Sequence, residues 1–174
     1  MEERINQNRY LKFQSLRRDY PDAITLVVYE RVPCTSIKSL GVQYTLDKTG
    51  MVLEATQTLT PEKGLLVLTG MKVSKATVGR VIEPEDPRKL AVYETMIYEL
   101  ETKGMLSGIS ELNVSDLDNL YLVSVDGYSI RLGSTEQLSA KLISYTAVWE
   151  ALKGMGKYGG TIDVSSPVYP TYIP

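Results

Sequence analysis

The chain has 174 residues, 43% hydrophobic and 23% charged, with 19 basic and 21 acidic side chains and a formal net charge of −2. That length buries one good core, or one core and a small appendage; the balance argues against wholesale disorder and offers no electrostatic case for nucleic acid. It has no histidine and one cysteine, Cys34, which excludes His-based triads, imidazole bases, His-ligated zinc, thiolate zinc clusters and an intrachain disulfide.

From the N-terminus, residues 9–18 alternate loosely, and Ile24, Leu26 and Val28 alternate with Thr25, Val27 and Tyr29. The period is that of half-buried strands, so the two runs predict a hairpin across Asp19-Tyr-Pro-Asp22. A short helix at 3–13 is the alternative for the first. Glu30-Arg31 and Pro33 stop the second strand, because proline cannot donate to a ladder. Cys34 follows at a strand edge and reads as a small apolar residue, since a nucleophilic thiol would lack a His partner.

Short strands are expected at 34–38, 43–47 and 51–55, punctuated by Gly41 and the Asp47-Lys-Thr-Gly50 turn. Leu65-Leu-Val-Leu-Thr69 reads as a buried strand ended by Gly70. Residues 76–82 form another strand or a loop. Asp86-Pro87 is a helix start, with Asp at the N-cap and Pro at the first helical position. Leu90, Tyr93, Met96, Ile97 and Leu100 follow at helical spacing, and Gly104 supplies the stop.

Strands are predicted at Ile109 to Ser115 and Leu120 to Val125. Asp126-Gly127 joins the latter to Tyr128–Leu132 as a hairpin. Ser134-Thr-Glu-Gln137 reads as a capping box opening a helix with the stripe Leu138, Leu142, Tyr145, Trp149 and Leu152, ended by Gly154. Strands at Gly160–Ser165 and Val168–Ile173 close the chain. The fold class is α+β: a mixed or antiparallel sheet of many strands with two packed helices.

Chemical motifs are few. Gly154-Met-Gly156-Lys-Tyr-Gly159 matches G-x-G-x-x-G, but a phosphate cradle needs a strand before it and a helix N-terminus after it. Here the order is reversed, so it reads as a helix-to-strand loop. Asp116-Leu-Asp118 and Glu83-Pro-Glu85-Asp86 are explained by turn and cap chemistry. Weak calcium binding is the other reading, with few ligands for it. Asn113-Val-Ser115 fits a glycosylation sequon but reads better as strand. Lys12, Arg17 and Arg18 form a small basic cluster, a solvated face that would also suit phosphate headgroups.

No run of about 18 apolar residues exists, and Met-Glu-Glu-Arg-Ile-Asn is not a signal peptide, so the chain taken alone reads as soluble. The twelve tyrosines, against one Phe and one Trp, suit an interaction surface. Pro167-Val-Tyr-Pro-Thr-Tyr-Ile-Pro174 places prolines in a terminal strand, which belongs at a sheet edge. Such an edge is either protected or used to accept a partner strand.

Three stretches together carry a family resemblance. Arg17-Arg-Asp-Tyr-Pro-Asp-Ala-Ile-Thr-Leu-Val-Val-Tyr-Glu-Arg-Val-Pro33 resembles the end of the POTRA domain in the FtsQ/DivIB family of bacterial cell-division proteins. Tyr44-Thr-Leu-Asp-Lys-Thr-Gly-Met-Val-Leu53 resembles that family's Tyr-x-(Ile/Leu)-Asp-x-x-Gly-x-Val-Leu hairpin. Val125-Asp-Gly-Tyr-Ser-Ile-Arg-Leu-Gly133, the helix after it and Thr161-Ile-Asp-Val164 resemble its closing pattern.

The resemblance implies residues 1–33 as the incomplete C-terminal part of a POTRA domain and 34–174 as the β domain. Family members carry a short cytoplasmic tail, one transmembrane helix and a full POTRA domain, so the chain is expected to be an extracytoplasmic fragment of a membrane protein of the septum. It implies a non-enzymatic scaffold without cofactor or metal. Its partners would be FtsL-like and FtsB/DivIC-like bitopic proteins, the latter added as a strand at the C-terminal edge. The contact residues would be Ser165, Ser166, Val168, Tyr169, Thr171 and Tyr172, with Tyr169 and Tyr172 as aromatic anchors. The alternatives are a POTRA-type protein of secretion or outer-membrane assembly, and a His-free hydrolase with two carboxylates converging in a pocket.

Overall fold

The computed structural model describes residues 4–5, 7–57 and 64–174. β1 (Leu11–Asp19) and β2 (Ala23–Glu30) form a separate antiparallel hairpin, with a bulge between Phe13 and Ser15. Of the alternative helix at 3–13, residues 3 and 6 lie outside the described residues, and Leu11–Phe13 are strand. The hairpin is exposed on both faces: Ile24, Leu26, Val27, Val28 and Tyr29 are all open to solvent.

Nine strands make the main sheet, in the order β13-β12-β11-β10-β9-β6-β3-β4-β5. They are β3 (Thr35–Ser39), β4 (Val42–Leu46), β5 (Val52–Thr56), β6 (Leu66–Thr69), β9 (Ile109–Asn113), β10 (Leu120–Ser124), β11 (Tyr128–Gly133), β12 (Gly160–Asp163) and β13 (Thr171–Ile173). β7 (Val73–Lys75) and β8 (Glu83–Pro84) pair with each other, so 76–82 is the connecting loop, bridged to the sheet where Val81 meets Met51.

The sheet is mixed. β3, β6 and β9 run parallel, as do β11 and β12, while hairpins supply the other pairs. Between β6 and β9 lies α1 (Pro87–Thr102), and between β11 and β12 lies α2 (Leu138–Gly154). Both are βαβ crossovers that step the same way across the sheet between strands of the same direction. A common handedness then puts both helices on the same face.

That face carries one continuous row through the register: Tyr172, Ile162, Ile130, Leu122, Leu112, Leu68, Ile37, Tyr44, Ala55. The six from Ile162 to Ile37 are at most 2% exposed. Against them pack Tyr93, Met96, Ile97 and Leu100 from α1 and Leu138, Leu142, Tyr145 and Leu152 from α2. At about 25 cal/mol per Å2 of apolar surface removed from water, this row and the two stripes are the main favourable term. The opposite face is polar, with Asp163, Arg131, Tyr121, Asn113 and Thr69 in register across five strands.

α1 starts as predicted, with Asp86 accepting from the Arg88 amide (3.0 Å) and Pro87 at the first position. α2 does not. Ser134-Thr-Glu-Gln137 is a turn rather than a capping box: Ser134 Oγ accepts from the Glu136 amide (3.3 Å), and Gln137 at the N-cap adopts φ +52° with no side-chain cap. The side-chain amine of Lys141, 4% exposed, bonds the Ser134 carbonyl instead (2.9 Å) and holds the entry turn.

Candidate partner-binding edge

Pro170 and Pro174 bracket β13, which holds three residues and not the six expected at Val168–Ile173. Residues 165–169 are a bent connection. Its start is fixed by Asp163, whose Oδ1 accepts from the Ser165 amide (2.9 Å) and Ser165 Oγ (2.6 Å). Its middle is fixed by Ser144 of α2, whose hydroxyl donates to the Pro167 carbonyl (2.7 Å).

The six expected contact residues therefore divide. Ser165, Ser166, Val168 and Tyr169 lie on the exposed connection, while Thr171 and Tyr172 lie in the strand. Val168 is 71% exposed and Tyr169 78%. Tyr172 is half-buried because it ends the apolar row on the helix face, opposite Ile162. Its hydroxyl donates to the Gly159 carbonyl (3.2 Å), and the Lys157 amine stands 5.8 Å from its ring centroid. Ile173, which sequence reasoning did not select, is 55% exposed and points to the other face with Thr171.

Among the described residues β13 ends the sheet, with no strand on its outer side. Gly160 at φ +86° lies so near the Ile173 carbonyl that a Cβ there would stand 2.5 Å from its oxygen. Ile173 thus turns its carbonyl toward β12. By ladder alternation, Tyr172 turns its N–H and C=O outward, and the flanking Pro170 and Pro174 have no N–H to offer. The open edge offers the Tyr172 amide donor and carbonyl acceptor, with Tyr169, Val168 and Ile173 exposed beside it.

The remaining motifs take structural roles. α2, a loop at 155–159 and β12 follow in the order that denies a phosphate cradle at Gly154–Gly159. Asp116 accepts from the Asn119 amide group (2.6 Å) and the Asp118 N–H (3.0 Å), and these bonds hold its carboxyl below the usual range. Asn113 in β9 bridges Thr69 and the Ser115 amide. Arg17 pairs with Asp19 on the exposed hairpin (2.8 Å).

A cleft of about 840 Å3 lies where the hairpin meets the sheet. Among its carboxylates, Asp47 is bound to Arg31 and Glu101 to Lys48 (2.9 Å). Burial pushes the Cys34 thiol up, the opposite of nucleophile activation. Among the described residues, no three His, Cys, Asp or Glu side chains are placed to hold a metal, and no helix is long and apolar enough to cross a membrane.

The family model described as cell division protein FtsQ/DivIB, C-terminal, matches residues 37–165. The cell division protein DivIB of Clostridium acetobutylicum is 27% identical over 172 residues, which cover 97% of this chain and 66% of that protein. The solved major extracytoplasmic domain of DivIB from Geobacillus stearothermophilus is 21% identical, with a TM-score of 0.44 over 71% of this chain and 95% of that one. With the family model spanning more than half its length, the chain belongs to the FtsQ/DivIB family of cell division proteins.

Proposed function

We propose that this chain is a non-enzymatic scaffold of the division machinery that accepts a partner segment as an added strand on β13. The observation that carries this reading is the open terminal edge itself, with its outward Tyr172 backbone and the exposed side chains of Tyr169, Val168 and Ile173. Strand addition takes main-chain bonds for affinity and side-chain pockets for specificity. With one amide donor at this edge, more of the affinity falls on the side chains than in a proline-free edge strand. Tyr169 is the anchor that fits, being aromatic, exposed and free of the core. Tyr172 acts from beneath, holding β13 on the sheet.

The partners are FtsL-like and FtsB/DivIC-like bitopic proteins, and the assembly licenses septal peptidoglycan synthesis. In this reading β1 and β2 are the last strands of a POTRA domain, whose remainder covers the apolar hairpin face. The chain spans 66% of the length of its Clostridium relative, which leaves room there for that remainder and a membrane anchor. The functional unit is then a single-pass membrane protein with this part outside the cytoplasm, concentrated at the septum. No observation favours the alternative of secretion or outer-membrane assembly.

An NMR titration with a peptide from the membrane-distal end of the organism's own FtsB/DivIC-like protein tests the site. Amide shifts concentrated at 161–173, and a loss of at least tenfold in affinity for Tyr169→Ala, are expected. Binding that leaves Thr161–Ile173 unshifted, or that Tyr169→Ala does not weaken, removes the site from this edge.

A further inference from the structure

Among the described residues the hairpin makes no extensive contact with any other element, yet side-chain links at its base hold it to the sheet, two of them through Arg31 and Tyr10. Arg31, just past β2, reaches Asp47 at the end of β4 through Nη1 to Oδ2. The side chains are 13% and 4% exposed. The other link is the Tyr10 hydroxyl, which donates to Glu54 Oε1 on β5. Arg31 and Tyr10 are themselves joined, since the Arg31 amide donates to the Tyr10 carbonyl (2.7 Å).

Asp47 is prepared for this contact by its own turn. Its Oδ1 accepts from the Thr49 amide (2.8 Å), Thr49 Oγ1 (2.8 Å) and the Met51 amide (2.9 Å). Those three bonds fix the carboxylate plane and leave Oδ2 aimed at the guanidinium, which also reaches Thr49 Oγ1 (3.2 Å). Its carbonyl accepts from the Tyr93 hydroxyl (2.8 Å), so the same residue is tied to α1 beneath the sheet. A buried charge that loses its partner is strongly destabilised, so breaking this pair favours arrangements that hydrate both groups.

We propose that Arg31 and Asp47 form a latch that sets the angle between the hairpin and the nine-stranded sheet. Among the described residues the hairpin shows no extensive packed interface to fix that angle. The chain passes from one body to the other through Val32-Pro33 alone, and Val32 is 65% exposed. Closing the latch makes the two bodies one lever; opening it leaves them joined by a short swivel and the single Tyr10–Glu54 hydrogen bond. The surface pair Lys48–Glu101, beside the same cleft, makes no such link, because both of its residues belong to the sheet body.

The test is the distance distribution between spin labels at Tyr20→Cys, on the hairpin tip, and Tyr98→Cys, on the outer face of α1, in a Cys34→Ala background. Both labelled sites are exposed, at 87% and 62%. The unaltered latch is expected to give one narrow distribution. Arg31→Gln should broaden it severalfold, whereas Lys48→Gln should leave it narrow. If Arg31→Gln does not fold, Arg31→Met with Asp47→Asn removes both charges together and is the variant to read, with the same broadening expected. A distribution equally narrow in a folded latch variant overturns the proposal, as does one already broad with the latch intact.

Discussion

Tyr145 sits on the inner stripe of α2, 5% exposed, and burial pushes its phenol up to about 12, offset in part by a hydrogen bond with Ser124. Tyr93 on α1 is raised in the same direction by the same cause. An unfolded tyrosine ionises near 10, so between about pH 10 and 12 the unfolded chain releases protons that the folded chain keeps. The stabilisation from Tyr145 is therefore complete below pH 10 and is lost as pH rises through 12, with a limiting slope of about 1.4 kcal/mol per unit. Melting temperatures from pH 9 to 12 should fall for the native chain and fall less steeply for Tyr145→Phe. Equal slopes would mean that this phenol ionises as freely folded as unfolded. Residue-scale chemistry was only partly legible in the sequence. The turn and cap roles of Asp116 and Asp86 followed from local spacing. The inward set of Tyr172 did not, because the prolines around it hide the phase of the alternation, and one residue of phase decides the face.

At the scale of elements, α2 tests how well a stripe defines a face. Leu142 is fully buried and the next residue, Ile143, is 61% exposed. Leu142→Ala should cost about 2–5 kcal/mol in urea unfolding, from lost transfer energy and the cavity left behind. Ile143→Ala should stay within about 0.5 kcal/mol. Comparable losses at both positions would mean that the helix is rotated from the orientation described. The stripe was readable because helical periodicity is a local signal. The start of α2 was misread because Ser-x-x-Gln has the same letters whether the Ser caps a helix or closes a turn. A left-handed Gln137 and a Lys141 turned back to the Ser134 carbonyl are tertiary choices that the four letters do not carry.

The whole molecule is two bodies of unequal strength. Hairpin strands β10–β11 and β3–β4 were legible from their turns, since Asp126-Gly127 and Gly41 announce local pairing. The parallel pairs β3–β6 and β6–β9 were not, because no local pattern names a partner tens of residues away. Nor was the Arg31–Asp47 contact, which depends on how the hairpin meets the sheet. Those non-local pairs nonetheless bind the sheet into one cooperative unit, with the apolar row buried from Ile162 to Ile37. The hairpin has two strands and, among the described residues, no buried face, and two strands alone are marginal in water. Native-state hydrogen exchange should therefore separate the two. Amides of β9, β10 and β11 should open only with global unfolding, while those of β1 and β2 open at a fraction of that free energy. Denaturant should lower protection in the sheet steeply and in the hairpin hardly at all, because little surface is exposed when the hairpin opens. A hairpin as protected as β10 would mean that the two bodies unfold as one, and that the hinge at Val32-Pro33 does not uncouple them.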